Sequence, residues 1–245
     1  MARTAAGTAL TELHRKQQLA LKAQVIAEVL KLYPMWDPSK PGSYLALEEA
    51  LLLLVQARST QAAAFAARYY ELYRVAETGL ARATVPLAAV AAEEVIREAI
   101  GATARGGTYR ALVAGKPMEQ ALKNGFVQVA GAVTKQVEDA GRRTIMDETG
   151  RDARCLGWTR VTGPNPCAWC AMLASRGPVY KGDADSIDIW DHEHGDCGAE
   201  PAYDGYVWPA KNRELQRLWQ DTKHDQDTTP LNAFRRALSG DTPTE

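Results

Sequence analysis

Residues 117–137 read PMEQALKNGFVQVAGAVTKQV. Leu122, Phe126, Val129, Val133 and Val137 recur at spacings of 4, 3, 4 and 4, the rhythm that puts apolar side chains on one stripe of an α-helix. Pro117 suits the first turn of such a helix, where its missing N–H breaks no bond. Gly125, Gly131 and Ala132 carry almost no side chain, so another helix can lie close against them. The stretch predicts a long, tightly packed helix.

Upstream the same rhythm returns. Leu21, Val25, Val29 and Leu32, flanked by Ile26 and Leu30, predict a helix between Thr8 and Leu32 that stops before Tyr33-Pro34. Pro34, Pro38 and Pro41-Gly42 mark a loop, and Ser43 reads as the N-cap of a second helix that is almost wholly apolar from Leu45 to Ala57. A third run covers about Thr60 to Thr78. Pro86 stands where a fourth helix should begin, with Leu87, Ala91, Val95 and Ala99 as its ladder beside Ile96 and Ile100. Gly101 to Gly107 should end it. Of 41 alanines, 31 fall in residues 1–150, and alanine loses no side-chain entropy on entering a helix.

The chain has 245 residues, with 29 Lys+Arg against 30 Asp+Glu and a formal net charge of −1. That near-zero total hides a split. Residues 1–150 hold 18 basic and 15 acidic side chains, a net of +3, whereas residues 151–245 hold 11 and 15, a net of −4. All four cysteines and five of the six tryptophans lie in the second part. A nucleic-acid coat would need a basic excess. The longest uninterrupted apolar run, Val85 to Ala92, has eight residues, against the ~20 that span a bilayer. The N-terminal residues lack the apolar core of a secretory signal, so the expectation is a soluble chain with no membrane partner. His14, the Glu48-Glu49 and Glu93-Glu94 pairs and Arg142-Arg143 read as solvated helix faces. The Glu-x-x-His spacing of a bundled metal site is missing.

The predicted fold class is therefore α+β, mostly α, in three parts. Residues 1–150 form a helical scaffold or interaction domain. Residues 151–209 form a small irregular β module of zinc-knuckle type. Residues 210–245 form short helices and a polar tail, with Leu215, Leu218 and Trp219 on one face of Asn212 to Thr222 and a second helix from Pro230 to Leu238.

The chemistry sits between Cys155 and Tyr203, CLGWTRVTGPNPCAWCAMLASRGPVYKGDADSIDIWDHEHGDCGAEPAY. Cys167 and Cys170 form a C-x-x-C knuckle after a Gly-Pro-Asn-Pro turn, and His192, His194 and Cys197 follow 22 residues later. Such a knuckle aims two thiolates at one point, and zinc takes S and N ligands tetrahedrally. The candidate ligands are Cys167, Cys170, Cys197 and one of His192 or His194, around a structural zinc that would staple a segment with little core of its own.

Other chemistries fit these residues less well. Plain buried thiols remain an alternative. A disulfide is disfavoured because nothing places the chain in an oxidising compartment, and a thioredoxin-like motif lacks its βαβ context. Cys155, in a strand-like run, reads as a packed core residue. A zinc deaminase wants H-x-E ahead of P-C-x-x-C, but here His192-Glu193 comes after it and leaves no H-x-E. The acidic run from Asp183 to Asp196 misses the oxygen ligand and the glycine that a calcium loop requires, since Ile187 and Asp188 stand at those positions. It reads as a solvated loop or a patch for a basic partner. Ser175, His192 and nearby aspartates have no Gly-x-Ser-x-Gly elbow around them.

The segment from Val161 to Tyr203, with Pro-Cys-x-x-Cys-Ala-Met-Leu-Ala-Ser-Arg-Gly-Pro-Val-Tyr, then His-x-His-x-x-Cys ahead of Pro-x-Tyr, resembles the C-terminal module of Mu F-like phage head morphogenesis proteins. It is most similar to minor capsid proteins of actinobacterial tailed phages, some of which are labelled capsid maturation proteases. The family ending is His-x-x-Cys-x-Cys. Aligned on Cys197, it puts Gly195 at the first of those cysteines, with His192 on the family His and His194 as the substitute ligand. Aligned on His194-Gly-Asp-Cys197, it puts Ala199 at the trailing cysteine. Either way one ligand is lost or replaced.

The resemblance implies a structural head protein, made in the host cytoplasm and carried inside the virion near the portal vertex. Its implied partners are the portal, scaffold or major capsid protein, in several copies per particle. A capsid maturation protease is the alternative. A weaker third reading is DNA packaging or ejection through the basic helical part.

Overall fold

The structure, a computed structural model, describes residues 4–81, 84–181, 197–225 and 228–240. Helix α1 (Ala5–Leu32) starts on Thr4, whose hydroxyl accepts from the Gly7 N–H at 2.8 Å. It ends in a tight turn, Tyr33–Met35, built around Pro34. Helix α2 (Ser43–Thr78) is one rod of 36 residues rather than two helices. No Gly or Pro stands between Ala57 and Thr60 to break it, and the Thr60 hydroxyl donates to the Gln56 carbonyl inside the helix at 3.1 Å. Ser43 is the first helical residue and not the cap. Gly42, in the left-handed conformation at φ 83°, makes the entry turn, while the Ser43 hydroxyl ties back to Asp37, accepting from its N–H at 3.1 Å.

The fourth predicted helix begins later than Pro86. Residues 84–92 are not helical, and α3 (Glu93–Val113) opens on Glu93 and Glu94, which favour the positive end of the helix dipole. Gly101, Gly106 and Gly107 lie inside α3 instead of ending it. The close approach lies at Gly125 of the next helix, where a Cβ would stand 2.7 Å from the Ala104 carbonyl of α3. That helix, α4 (Met118–Arg151), follows Pro117 as expected. Val129, Val133 and Val137 are buried, and Leu122 and Phe126 half-buried. From Val129 to Met146 nearly every face is covered, so α4 is the central helix of the molecule.

After α4 come β1 (Cys155–Val161), α5 (Ala168–Ala174), β2 (Gly198–Tyr203), α6 (Ala210–Thr222) and α7 (Pro230–Ser239). β1 and β2 form a two-stranded antiparallel sheet, with Trp158 opposite Pro201 and Arg160 opposite Ala199. Among the described residues the fold is mostly helical with this one small sheet. Trp158 also receives the 177–180 segment: its N–H donates to the Tyr180 carbonyl at 2.9 Å and its ring stacks on Tyr180 at 4.5 Å.

Three apolar cores hold the chain. The first joins α1, α2, α3 and α4 through Val25, Leu47, Leu51, Ile96, Ile100 and Val133. The second crosses the composition boundary near Gly150, packing Tyr70 and Tyr73 of α2 and Ile145 of α4 against Trp158, Tyr180 and Tyr203. The third sets α5 on α6 and α7 through Leu173, Leu215 and Phe234. Among the described residues α2 alone is long and apolar enough to cross a membrane; it packs against α1, α3 and α4.

Candidate functional site

Helix α5 is seven residues long and begins at the knuckle. Cys167 is its N-cap, and the Cys167 sulfur accepts from the Cys170 N–H at 3.3 Å, an orphan donor that a helix start must satisfy. One turn into the helix Cys170 points inward, while Cys167 stays exposed. Cys197 enters from the other side, one residue before β2. The Cys170 and Cys197 sulfurs lie 3.4 Å apart, both buried.

Two arginines meet at Cys197. Arg160 of β1, 1% exposed, donates from Nη1 to the Cys197 sulfur at 3.3 Å. Arg142 of α4 donates from Nε to the Cys197 carbonyl at 3.2 Å and is held by Asp139 at 2.9 Å and Glu138 at 3.3 Å. Lys22 of α1 closes the far side of Glu138 at 3.4 Å. The hydrogen bond shared with Cys170, with Arg160 and Arg142 acting against burial, moves Cys197 below the ordinary thiol range. Cys170 moves the other way, because its proton is held between the sulfurs and because it is buried. The two sulfurs share a hydrogen bond, with one guanidinium on the Cys197 sulfur and another on its carbonyl.

Asn212 of α6 locks the surrounding elements together. Its Nδ2 donates to the Arg160 carbonyl at 2.8 Å and to the Ala174 carbonyl at 3.1 Å, joining β1 to the end of α5. On the α1 side, His14 stacks on Tyr69 at 4.5 Å, and Thr11 links the Tyr69 hydroxyl at 2.8 Å to the buried Glu200 at 2.5 Å. A cavity of about 40 Å³ runs between α1, α4 and β2, lined by His14, Gln18, Glu138, Arg142, Val161 and Cys197. That is room for water.

The structure thus brings together Cys170 and Cys197 of the predicted ligand set and leaves Cys167 at the surface beside them. His192, His194 and most of the acidic run lie outside the described residues. Among the described residues no three His, Cys, Asp or Glu side chains form a metal-binding group. The thiol pair itself suits zinc in donor chemistry, and its spacing is close to the edge of a tetrahedron with Zn–S bonds of about 2.3 Å. Ser175 is buried, its hydroxyl donating to the Met172 carbonyl at 2.7 Å, which commits it to the end of α5.

His14 and Arg142 are not the solvated residues that the sequence suggested. Both are buried. No local signal marked Arg142: Lys135, Asp139 and Arg142 recur at i, i+4 and i+7 as on an ordinary polar helix face, and only the packing of α1 and the sheet against α4 buries it.

The chain matches the family model described as VG15 protein over residues 5–222. It is similar to the Gene 15 protein of Mycobacterium phage D29, 35% identical over a match that takes in 44% of this chain and 57% of that protein. The Gene 15 protein of Mycobacterium phage L5 is 29% identical, with 46% and 58% covered. The matches thus take in a little over half the length of these relatives. No solved structure matches the chain.

Proposed function

Because the chain belongs to the VG15 protein family, a phage protein family, we propose that it is a structural minor capsid protein of the Mu F-like head morphogenesis type. In this reading it is made in the host cytoplasm and sits inside the phage head near the portal vertex, touching portal, scaffold or major capsid protein. The observation that carries the reading is the extent of the family match, from α1 through α6, onto relatives that are phage proteins. The surface supports it: Tyr109 and Val113, one turn apart near the end of α3, are 68% and 70% exposed, with Met118 following at the start of α4. Exposed apolar side chains grouped at the tip of a helical hairpin suit protein contact.

The thiol pair has a structural part in this proposal. Cys170, Cys197 and Cys167, with His192 or His194, would hold a zinc ion that staples α5 to the start of β2. When bound, the ion would supply cross-linking and no catalysis, as a closed four-ligand site leaves no open position. Arg160 and Arg142 orient Cys197 and offset the charge of the thiolates. Ser175 is bound to its own helix, which supports the structural role over a capsid maturation protease using it as nucleophile.

The test is location in particles. Purified heads should contain the chain at a constant ratio to portal, and cross-linking should join residues near Tyr109 to a head protein. Tyr109→Ala with Val113→Ala should fold normally yet lower incorporation at least several-fold. Heads lacking the chain would overturn the proposal, and loss of capsid or scaffold cleavage in Ser175→Ala would favour the protease.

A further inference from the structure

The Cys170 and Cys197 sulfurs lie 3.4 Å apart in buried residues, and the exposed Cys167 stands three residues before Cys170. Cys155, the remaining cysteine, is engaged elsewhere, its thiol donating to the Gly157 carbonyl at 3.1 Å and the Ala202 carbonyl at 3.4 Å. We propose that Cys170 and Cys197 form a reversible disulfide, loaded from outside through Cys167, that locks α5 to β2 in the metal-free chain. The inference rests on the same site as the zinc reading. Its setting, a chain that leaves the reducing cytoplasm inside a particle, rests on the proposed virion role.

Three geometrical facts support it. The sulfurs are 3.4 Å apart, so bond formation needs a closing movement of about 1.3 Å. Arg160 donates to the Cys197 sulfur, fixing its position beside Cys170. Both residues are buried, at 3% and 5% exposure, so an oxidant in solution reaches them poorly, whereas Cys167 is exposed and its sulfur already contacts the Cys170 N–H.

The oxidant is a small-molecule disulfide, and the electrons balance by exchange. The deprotonated Cys167 sulfur attacks one sulfur of the small disulfide, forming a mixed disulfide and releasing one small thiolate. Cys170, giving up its proton, attacks the Cys167 sulfur and displaces the second small thiolate. Cys197 then attacks the Cys170 sulfur, forming the Cys170–Cys197 bond and returning Cys167 as thiolate. Two protein thiols are oxidised and one small disulfide is reduced to two thiols. The new bond closes the segment between α5 and β2, which contains the acidic run.

The experiment uses the full chain, its zinc content measured first, then treated with a chelator and titrated with oxidised glutathione. Non-reducing digestion and mass spectrometry should find the Cys170–Cys197 cross-link as the final product, with Cys155 and Cys167 free. Dithiothreitol should reverse it, and oxidation should raise Tm by several degrees. Cys167→Ser should slow cross-linking at least tenfold without changing the final bond; an unchanged rate would overturn the relay. Final accumulation of a Cys167–Cys170 bond, or of glutathione adducts alone, would overturn the proposal. The zinc reading fails separately, if the untreated chain folds fully with no metal. Because the mapping is done on the unsubstituted chain, it does not depend on Cys170 or Cys197 variants folding.

Discussion

His14 shows how much burial can change a residue's meaning. Its stacked position against Tyr69 removes the imidazole from water, and burial brings its pKa down from 6.5 to about 4. Below about pH 6.5 the unfolded chain takes up a proton that the folded chain refuses until about pH 4. The unfolded state therefore binds more protons across that window, and stability falls as pH falls. Moving from pH 6.5 to 5 should remove about 2 kcal/mol through this residue. Glu138, whose carboxyl is raised by burial, acts in the opposite direction, so the comparison has to be made within one background. His14→Phe keeps the stacked ring, and urea denaturation of that variant should show a shallower loss of stability than the parent chain. Parallel pH profiles would refute the assignment.

At the scale of elements, the crossing of α2 and α4 depends on small residues. Ala62, Ala63 and Ala66 of α2 are fully buried, and a Cβ on Gly141 of α4 would meet the Ala62 carbonyl at 3.1 Å. Two backbones that close leave no room for added methylenes, so Ala62→Leu should destabilise the chain by about 1–3 kcal/mol, read from the denaturation midpoint. Leu45, on the exposed side of α2, is the control, and its replacement by Ala should change little. The valine stripe of α4 was legible from its spacing, as were the start at Pro117 and the turn at Pro34. The unbroken α2 was not, because Ser59 and Thr60 suit a new helix start as well as a continuing turn, and packing on both flanks decides that the helix continues. The glycines of α3 read locally as a stop, yet the helix runs through Gly101, Gly106 and Gly107 because Ile96, Ile100 and Ala104 pack on α4; the helix cost of a glycine is small enough for packing to override.

At the scale of the whole molecule, the composition boundary near Gly150 divides the charges but not the core. Tyr70, Tyr73 and Ile145 lie on one side of it and Trp158, Tyr180 and Tyr203 on the other. Arg74 of α2 also pairs with Asp152 at 2.7 Å across the same line, and both are buried. A fragment of residues 1–150 would expose these tyrosines and leave Arg74 without Asp152. It should melt lower and less cooperatively than the full chain and bind a hydrophobic dye; a sharp transition at the parental Tm would show that the helical part stands alone.

By itself the sequence determined the mostly helical class and the apolar stripes, since periodicity is a property of neighbouring residues. The two arginines that meet at Cys197 were decided only by the tertiary structure. Arg142 comes from α4 and Arg160 from β1, and they meet at Cys197 because the sheet packs on the central helix. A charged residue shows its role only when folding removes the water around it and supplies a partner from a distant part of the chain.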